Sequence, residues 1–207
     1  MRMHRISVYM LCSGLALGQP ALAASANILE NGSFESPALA DGVAASVTPT
    51  AWQWVGSPGF VINPASGSIP AFDGAQFVDL GNTSAFSLRQ DFSIAVGGSY
   101  DLTWHDNAAA SFQEAPYTVV VSGTPAGTRY DANEGIDGTW NARTLRLDLG
   151  PGIHSIVFSP ADIPGPLPAQ DRFIDQVSLV ASVPLPAAVW LFGAALGGLG
   201  LVRRRLG

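Results

Sequence analysis

A chain of 207 residues has room for one ordinary core plus terminal signals, and a second full-sized core would be crowded. Its ten basic residues are all arginine: two precede the first apolar run, three follow the last and five lie between. All sixteen acids also lie between, so the middle carries −11 where the whole chain carries −6. A segment so charged repels phosphate backbones, which excludes nucleic acid as a partner, and it attracts cations.

Residues 1–26 follow a secretory pattern. Arg2, His4 and Arg5 form a basic start, Ile6 to Leu17 an apolar stretch, and Ala21-Leu22-Ala23 a small-residue cleavage site. Cleavage is expected after Ala23, and Ala24-Ser25-Ala26 offers a second site after Ala26. The only cysteine, Cys12, lies inside this leader, behind Leu11 and in mid-hydrophobic run, which does not suit lipidation. The mature domain therefore has no disulfide and depends on core burial, helped by any metal it binds.

From residue 27 to 182 short apolar runs alternate with turn residues, and 23 glycines and 15 prolines are spread along the chain without a triplet period. In chain order, strands are expected at Trp52–Val55, Phe60–Ile62, Gln76–Leu80, Ser87–Phe92, around Tyr100-Leu102-Trp104, and at Tyr117–Val121. Further strands are expected around Leu145-Leu147-Leu149 and at Ile153–Ser159 and Phe173–Val180. No stretch sustains a helical period. Eight to ten strands, with a Gly/Pro loop at Pro160–Ala169, point to an all-β, two-sheet jelly-roll sandwich. Residues 183–207 then read VPLPAAVWLFGAALGGLGLVRRRLG, uncharged from Val183 through Val202. Twenty such residues form a helix of roughly 30 Å, one hydrocarbon core, with the arginines held on the cytoplasmic side.

The tail does more than suggest a single-span anchor. Val183-Pro184-Leu185-Pro186, an apolar helix with Trp and Gly, and Arg203-Arg204-Arg205 closely resemble the PEP-CTERM sorting signal. The resemblance implies a membrane protease of the exosortase type as partner and delivery to the cell surface or the medium. Leu185 stands where that signal usually has glutamate. The middle domain carries a second likeness. Asn31-Gly32-Ser33-Phe34-Glu35, Asp73-Gly74-Ala75-Gln76-Phe77-Val78-Asp79-Leu80, Leu88-Arg89-Gln90 before Gly98-x-Tyr100-x-Leu102, and Phe173-Ile174-Asp175-Gln176-Val177-Ser178-Leu179 resemble, in that order, galactose-binding-like jelly rolls. Many carbohydrate-binding modules have that fold.

Three sets of candidate residues follow. If Phe173, Val177 and Leu179 face the core, strand alternation puts Asp175 on the same face, where a carboxylate must be paired or bound to a cation. The galactose-binding-like resemblance implies a structural calcium held by Glu35 and Asp175 with backbone carbonyls; Arg172 or a backbone group is the alternative partner. For a sugar, Trp140, with Arg129, Tyr130 and Arg143 close in sequence, is the expected exposed platform and Trp140, Tyr130 and Arg143 the candidate ligand contacts. One of Trp52 and Trp54, which share a face in a strand, is expected in the core with Trp104, and Phe112 follows a turn-like Asn107–Ser111. Catalysis has little to stand on: the domain has His105 and His154, no lysine and no nucleophile elbow. Asp101, Asp106, Glu114, Asp131, Glu134 and Asp137 read as solvated loop acids, and Asp131–Gly138 as a turn. The expected activity is non-catalytic binding, to a glycan or exopolysaccharide, with a structural surface protein as the alternative.

Overall fold

The computed structural model of the chain describes residues 26–65, 68–81, 86–108, 115–124, 127–132, 139–161 and 171–182. The leader cleavage sites, apart from Ala26, lie outside these residues, as do Phe112, Glu114, Glu134, Asp137 and the whole tail 183–207. Eleven strands are described. They are β1 (Val43–Ala45), β2 (Gln53–Gly56), β3 (Phe60–Asn63), β4 (Phe77–Asp79), β5 (Phe86–Ile94), β6 (Gly98–Ala108), β7 (Pro116–Val121), β8 (Thr128–Asp131), β9 (Asn141–Leu149), β10 (Gly152–Pro160) and β11 (Arg172–Ala181). Each expected strand is present within a few residues. Val43–Ala45 and Thr128–Asp131 were not expected; both are short edge strands with little apolar pattern. Asn107 continues β6 and does not begin a turn.

Two antiparallel sheets face each other, one ordered β1-β3-β4-β11-β6-β9 and the other β2-β5-β10-β7-β8. The period of two decides what lies between them. On β6, Tyr100, Leu102, Trp104, Asp106 and Ala108 are buried inward while Ser99, Asp101, Thr103 and His105 point out. Leu88 and Phe92 of β5, Ile156 and Phe158 of β10, and Tyr117, Val119 and Val121 of β7 meet them from the opposite sheet. Trp52 and Trp104 are core residues as expected, 2% and 0% exposed. Trp54 packs at the core's margin and donates its indole N–H to Val47 O at 3.0 Å.

Strand β11 departs from simple alternation, and this corrects the reading of Asp175. Its pairing with β6 shifts register between Asp175 and Ser178, where Gln176 has φ of 50°, so a bulge inserts one residue. Arg172 and Ile174 point inward with Val177 and Leu179; Phe173 and Asp175 face outward, opposite Asn107 and His105. Asp175 is nevertheless 0% exposed, because a loop covers that outer face. Gly32 packs beside the bulge. A Cβ there would lie 1.9 Å from Val177 O, and Gly32 O accepts the Val177 N–H at 2.9 Å, which explains the Asn-Gly step of the opening motif.

Candidate functional site: an aromatic shelf outside the six-stranded sheet

The outward face of a sheet in water normally carries polar side chains. At one end of the six-stranded sheet it carries Ile62, Phe77 and Phe173 instead, with Asp79 between Phe60 and Phe173 in the pairing. The segment before β4 folds over this patch. Phe72 stacks on His105 with ring centroids 3.4 Å apart. Trp140, just ahead of β9, meets Phe72 edge-on at 6.4 Å and Phe77 at 5.5 Å, and Phe77 packs on Phe173 at 4.9 Å. Five rings thus run in series outside the sandwich, separate from the inter-sheet core. The lower two, Phe77 and Phe173, are buried; Phe72 is 43% exposed and Trp140 half-buried.

Two carboxylates pin the loop that carries Phe72. Asp175 Oδ2 accepts the N–H groups of Phe72 at 2.8 Å and Asp73 at 2.9 Å, and its Oδ1 accepts Gln176 N–H at 2.7 Å. Glu35 Oε1 accepts Ala75 N–H at 2.9 Å and Gln76 N–H at 2.8 Å. Gly74 sits between them at φ of 69°, and a Cβ there would approach Glu35 Oε1 to 2.5 Å, so the tight approach needs glycine. The Trp140 indole N–H donates to Pro70 O at 2.9 Å, and Ser33 Oγ donates to Asp73 Oδ2 at 2.6 Å. Gln76 is buried, donates to Phe34 O at 2.7 Å and accepts the Leu39 N–H. The loop is held at both shoulders and its aromatic crest is pre-set.

Glu35 and Asp175, which the galactose-binding-like resemblance implies as cation ligands, each accept N–H groups of the same loop. Glu35 lies in irregular chain before β1 and not on a strand. Asp175 has backbone partners, whereas Arg172 turns inward and donates to the carbonyls of Pro116, Gly81 and Ala161. Among the described residues no three acidic, histidine or cysteine side chains lie close enough to share an ion. An ion at this loop would therefore need backbone carbonyls beside the two carboxylates, which suits the hard-oxygen preference of calcium. Burial pushes Asp175 up to about 7, against the pull of the Asp73, Gln176 and Phe72 N–H groups. Asp79, on the same face, is also pushed up to about 7 by burial and then by the charge of Asp171, with Gly81 N–H and Arg172 opposing. Burial lowers His105 from its ordinary value; its Nδ1 is buried with no partner among the described residues.

The trio Trp140, Tyr130 and Arg143 does not form one platform, because the six-stranded sheet separates them. Tyr130 packs edge-on to Trp104 at 4.9 Å and stacks near Tyr117 at 5.7 Å on the inner side. Arg143 lies over the Tyr130 ring at 5.7 Å and donates to Asp106 Oδ2 at 2.8 Å and to Asp131 O at 2.7 Å. Asp106 is 0% exposed and also accepts from Asn141 Nδ2 at 2.8 Å and from the Tyr117 hydroxyl. It is no solvated loop acid: β6 runs on past Trp104 and turns Asp106 inward. Tyr130 and Arg143 are occupied in this inter-sheet network, and Trp140 alone joins the shelf. Phe72 went unnoticed, although an aromatic directly before an Asp-Gly turn is a signal that could have marked it.

Beside the shelf, between β1, β3 and the loop, lies an open cleft of about 380 Å³, whose lining includes Val43, Ile62, Asn63, Ile69, Phe77 and Phe173. It offers apolar floor, an amide and backbone groups, the combination that seats a ring with hydroxyls.

No protein-family model matches the chain, and no curated protein matches it. Among solved structures it is similar to TmCBM61 in complex with β-1,4-galactotriose, at 19% identity over 76% of this chain and 100% of that one, with a TM-score of 0.56. It also aligns with the CBM22-1 xylan-binding domain of Paenibacillus barcinonensis Xyn10C, at 13% identity over 77% of this chain and 98% of that one, TM-score 0.49. A third match is CBM35 from Cellvibrio japonicus Abf62, at 17% identity over 68% of this chain and 95% of that one, TM-score 0.48. The class of fold is an all-β jelly-roll sandwich. In particular it is similar to the fold of the carbohydrate-binding module TmCBM61.

Proposed function

We propose that this is an exported glycan-binding protein whose binding surface is the Phe72–Trp140 shelf with its adjoining cleft. The observation that carries the reading is the exposed Phe72 ring beside the half-buried Trp140 on the outside of a sheet, pinned by Asp175, Glu35 and Pro70 O. Rigid aromatic faces cover the apolar face of a sugar ring at little entropic cost. The reading is of binding without catalysis. TmCBM61, whose structure contains β-1,4-galactotriose, makes β-1,4-galacto-oligosaccharides the first probe. Phe72→Ala should weaken glycan binding by roughly 1–3 kcal/mol, the cost of truncating an aromatic hot spot, with little loss of stability. Retained affinity in both Phe72→Ala and Trp140→Phe would remove the shelf from the reading.

Delivery belongs to the same proposal. The leader 1–26 takes the chain across the inner membrane, the tail 183–207 holds it there, and an exosortase-type protease acts at Val183–Pro186 to pass the domain to the cell surface or the medium. Calcium, with Glu35 and Asp175 as its carboxylate ligands, would fasten the Phe72 loop to β11 and screen two acids of an acidic domain.

A further inference from the structure

We infer that the shelf selects neutral glycans and discriminates against glycans carrying carboxylates or sulfates; this rests on the glycan reading above and specifies its ligand class. Recognition of an anionic sugar needs a cation near the rings, so every cation of the domain matters. The permanent ones are five arginines, since the chain has no lysine; His105, stacked on Phe72, is held toward its neutral form by burial, and His154 lies on the other sheet. Arg143 and Arg172 project between the sheets and are held there by Asp106, the Asp131 carbonyl, and the carbonyls of Pro116, Gly81 and Ala161. Arg89 lies on the other sheet, paired with Asp91 at 2.7 Å. Arg129 is on β8, also in the other sheet. Arg146 does share the outer face, beside Asp101 at 3.9 Å. It is six residues along from Trp140, roughly 20 Å at the rise of a strand, beyond the reach of a sugar seated on the rings.

What surrounds the shelf is acidic or an acceptor. Asp73 is at the crest beside Phe72, Asp79 and Asp175 lie beneath, and Asp41 stands at the rim of a second hollow lined by Asn63, Pro70 and Gly74. Among the described residues no arginine lines either this hollow or the cleft. Sugar hydroxyls donate readily to carboxylates and carbonyls, and a neutral glycan satisfies such a surface. A uronate or sulfate ester brings like charge beside Asp73 and Asp41, where no arginine offers a counter-charge, which costs affinity and slows association.

The test uses the full chain in detergent, in chelator so that no ion bridges. β-1,4-galactan, β-1,4-mannan and β-1,4-glucan are each compared with the same polymer after its C6 hydroxymethyl groups have been oxidised to carboxylates. At low salt the oxidised form of whichever polymer binds should bind at least tenfold more weakly, and the gap should narrow as salt shortens the screening length. Asp73→Lys should narrow it as well, by raising affinity for the oxidised form more than for the neutral one. An oxidised polymer that binds as tightly as its parent overturns the selectivity and leaves glycan binding standing. If no polymer of either kind binds, glycan recognition falls, and this inference with it.

Discussion

Asp175→Asn separates burial, hydrogen bonding and metal at the loop clamp. In the folded chain the carboxyl titrates at about 7 where its ordinary value is 3.8. Between those values the folded state holds a proton that the unfolded state has lost. Stability from this group is thus greatest below pH 4, falls as pH rises to 7 and stays flat above. At about 1.36 kcal/mol per pH unit, the fall is at most ~4 kcal/mol. An amide cannot ionise, so without a cation Asp175→Asn should match the wild type only below about pH 4, exceed it modestly in stability at pH 5 and exceed it most at pH 8. A bound calcium narrows that gap by returning a counter-charge to the ionised carboxylate. At a hundredfold excess over Kd it adds about 2.7 kcal/mol to the wild type, a rise in Tm of roughly 5–10 °C for a domain of this size, and it adds little to Asp175→Asn. Thermal melting at pH 5 and pH 8, each in calcium and in chelator, reads all four states. Identical wild-type melts in calcium and chelator refute the cation. A loss of more than about 1 kcal/mol in Asp175→Asn at pH 8 in chelator refutes the ordering of effects, since the three N–H groups would then outweigh burial.

Asp79→Asn should also flatten the decline in stability between pH 4 and 7, because Asp79 is likewise raised to about 7, but with no calcium response; urea midpoints at pH 5 and 8 check this, and an unchanged slope counts against it. Arg143→Met should cost about 3–5 kcal/mol by stripping Asp106 of its counter-charge, without altering glycan affinity in the fraction that folds; a loss under 1 kcal/mol in urea unfolding would show the network to be dispensable. If the tail is a transient address, mass spectrometry of the surface or secreted fraction should find a C-terminus near Val183-Pro184, whereas intact chain ending beyond Arg205 and confined to the inner membrane would mark it as a permanent anchor.

Local pattern was enough for the strands. Tyr100-Leu102-Trp104 and Leu145-Leu147-Leu149 alternate so regularly that period two identifies both the element and its buried face. The sandwich class and the charge of the middle domain were legible for the same reason: each follows from composition or from neighbours a few residues apart. The facing of Asp175 was not, although Ile174, Val177 and Leu179, spaced by three and then two, hold the trace of the bulge at Gln176. One extra residue inverts every later side chain, and whether a strand takes that bulge depends on the partner beside it, here β6 and the Gly32 contact. The shelf is more remote still from sequence, since Phe72, His105 and Trp140 come from three separate segments that meet only when the loop closes over β4, β11 and β6. Trp140 and Arg143, three residues apart, end on opposite faces of one sheet because an odd step along a strand crosses from one face to the other. Proximity in sequence suggested one site, and the pleat divided it in two.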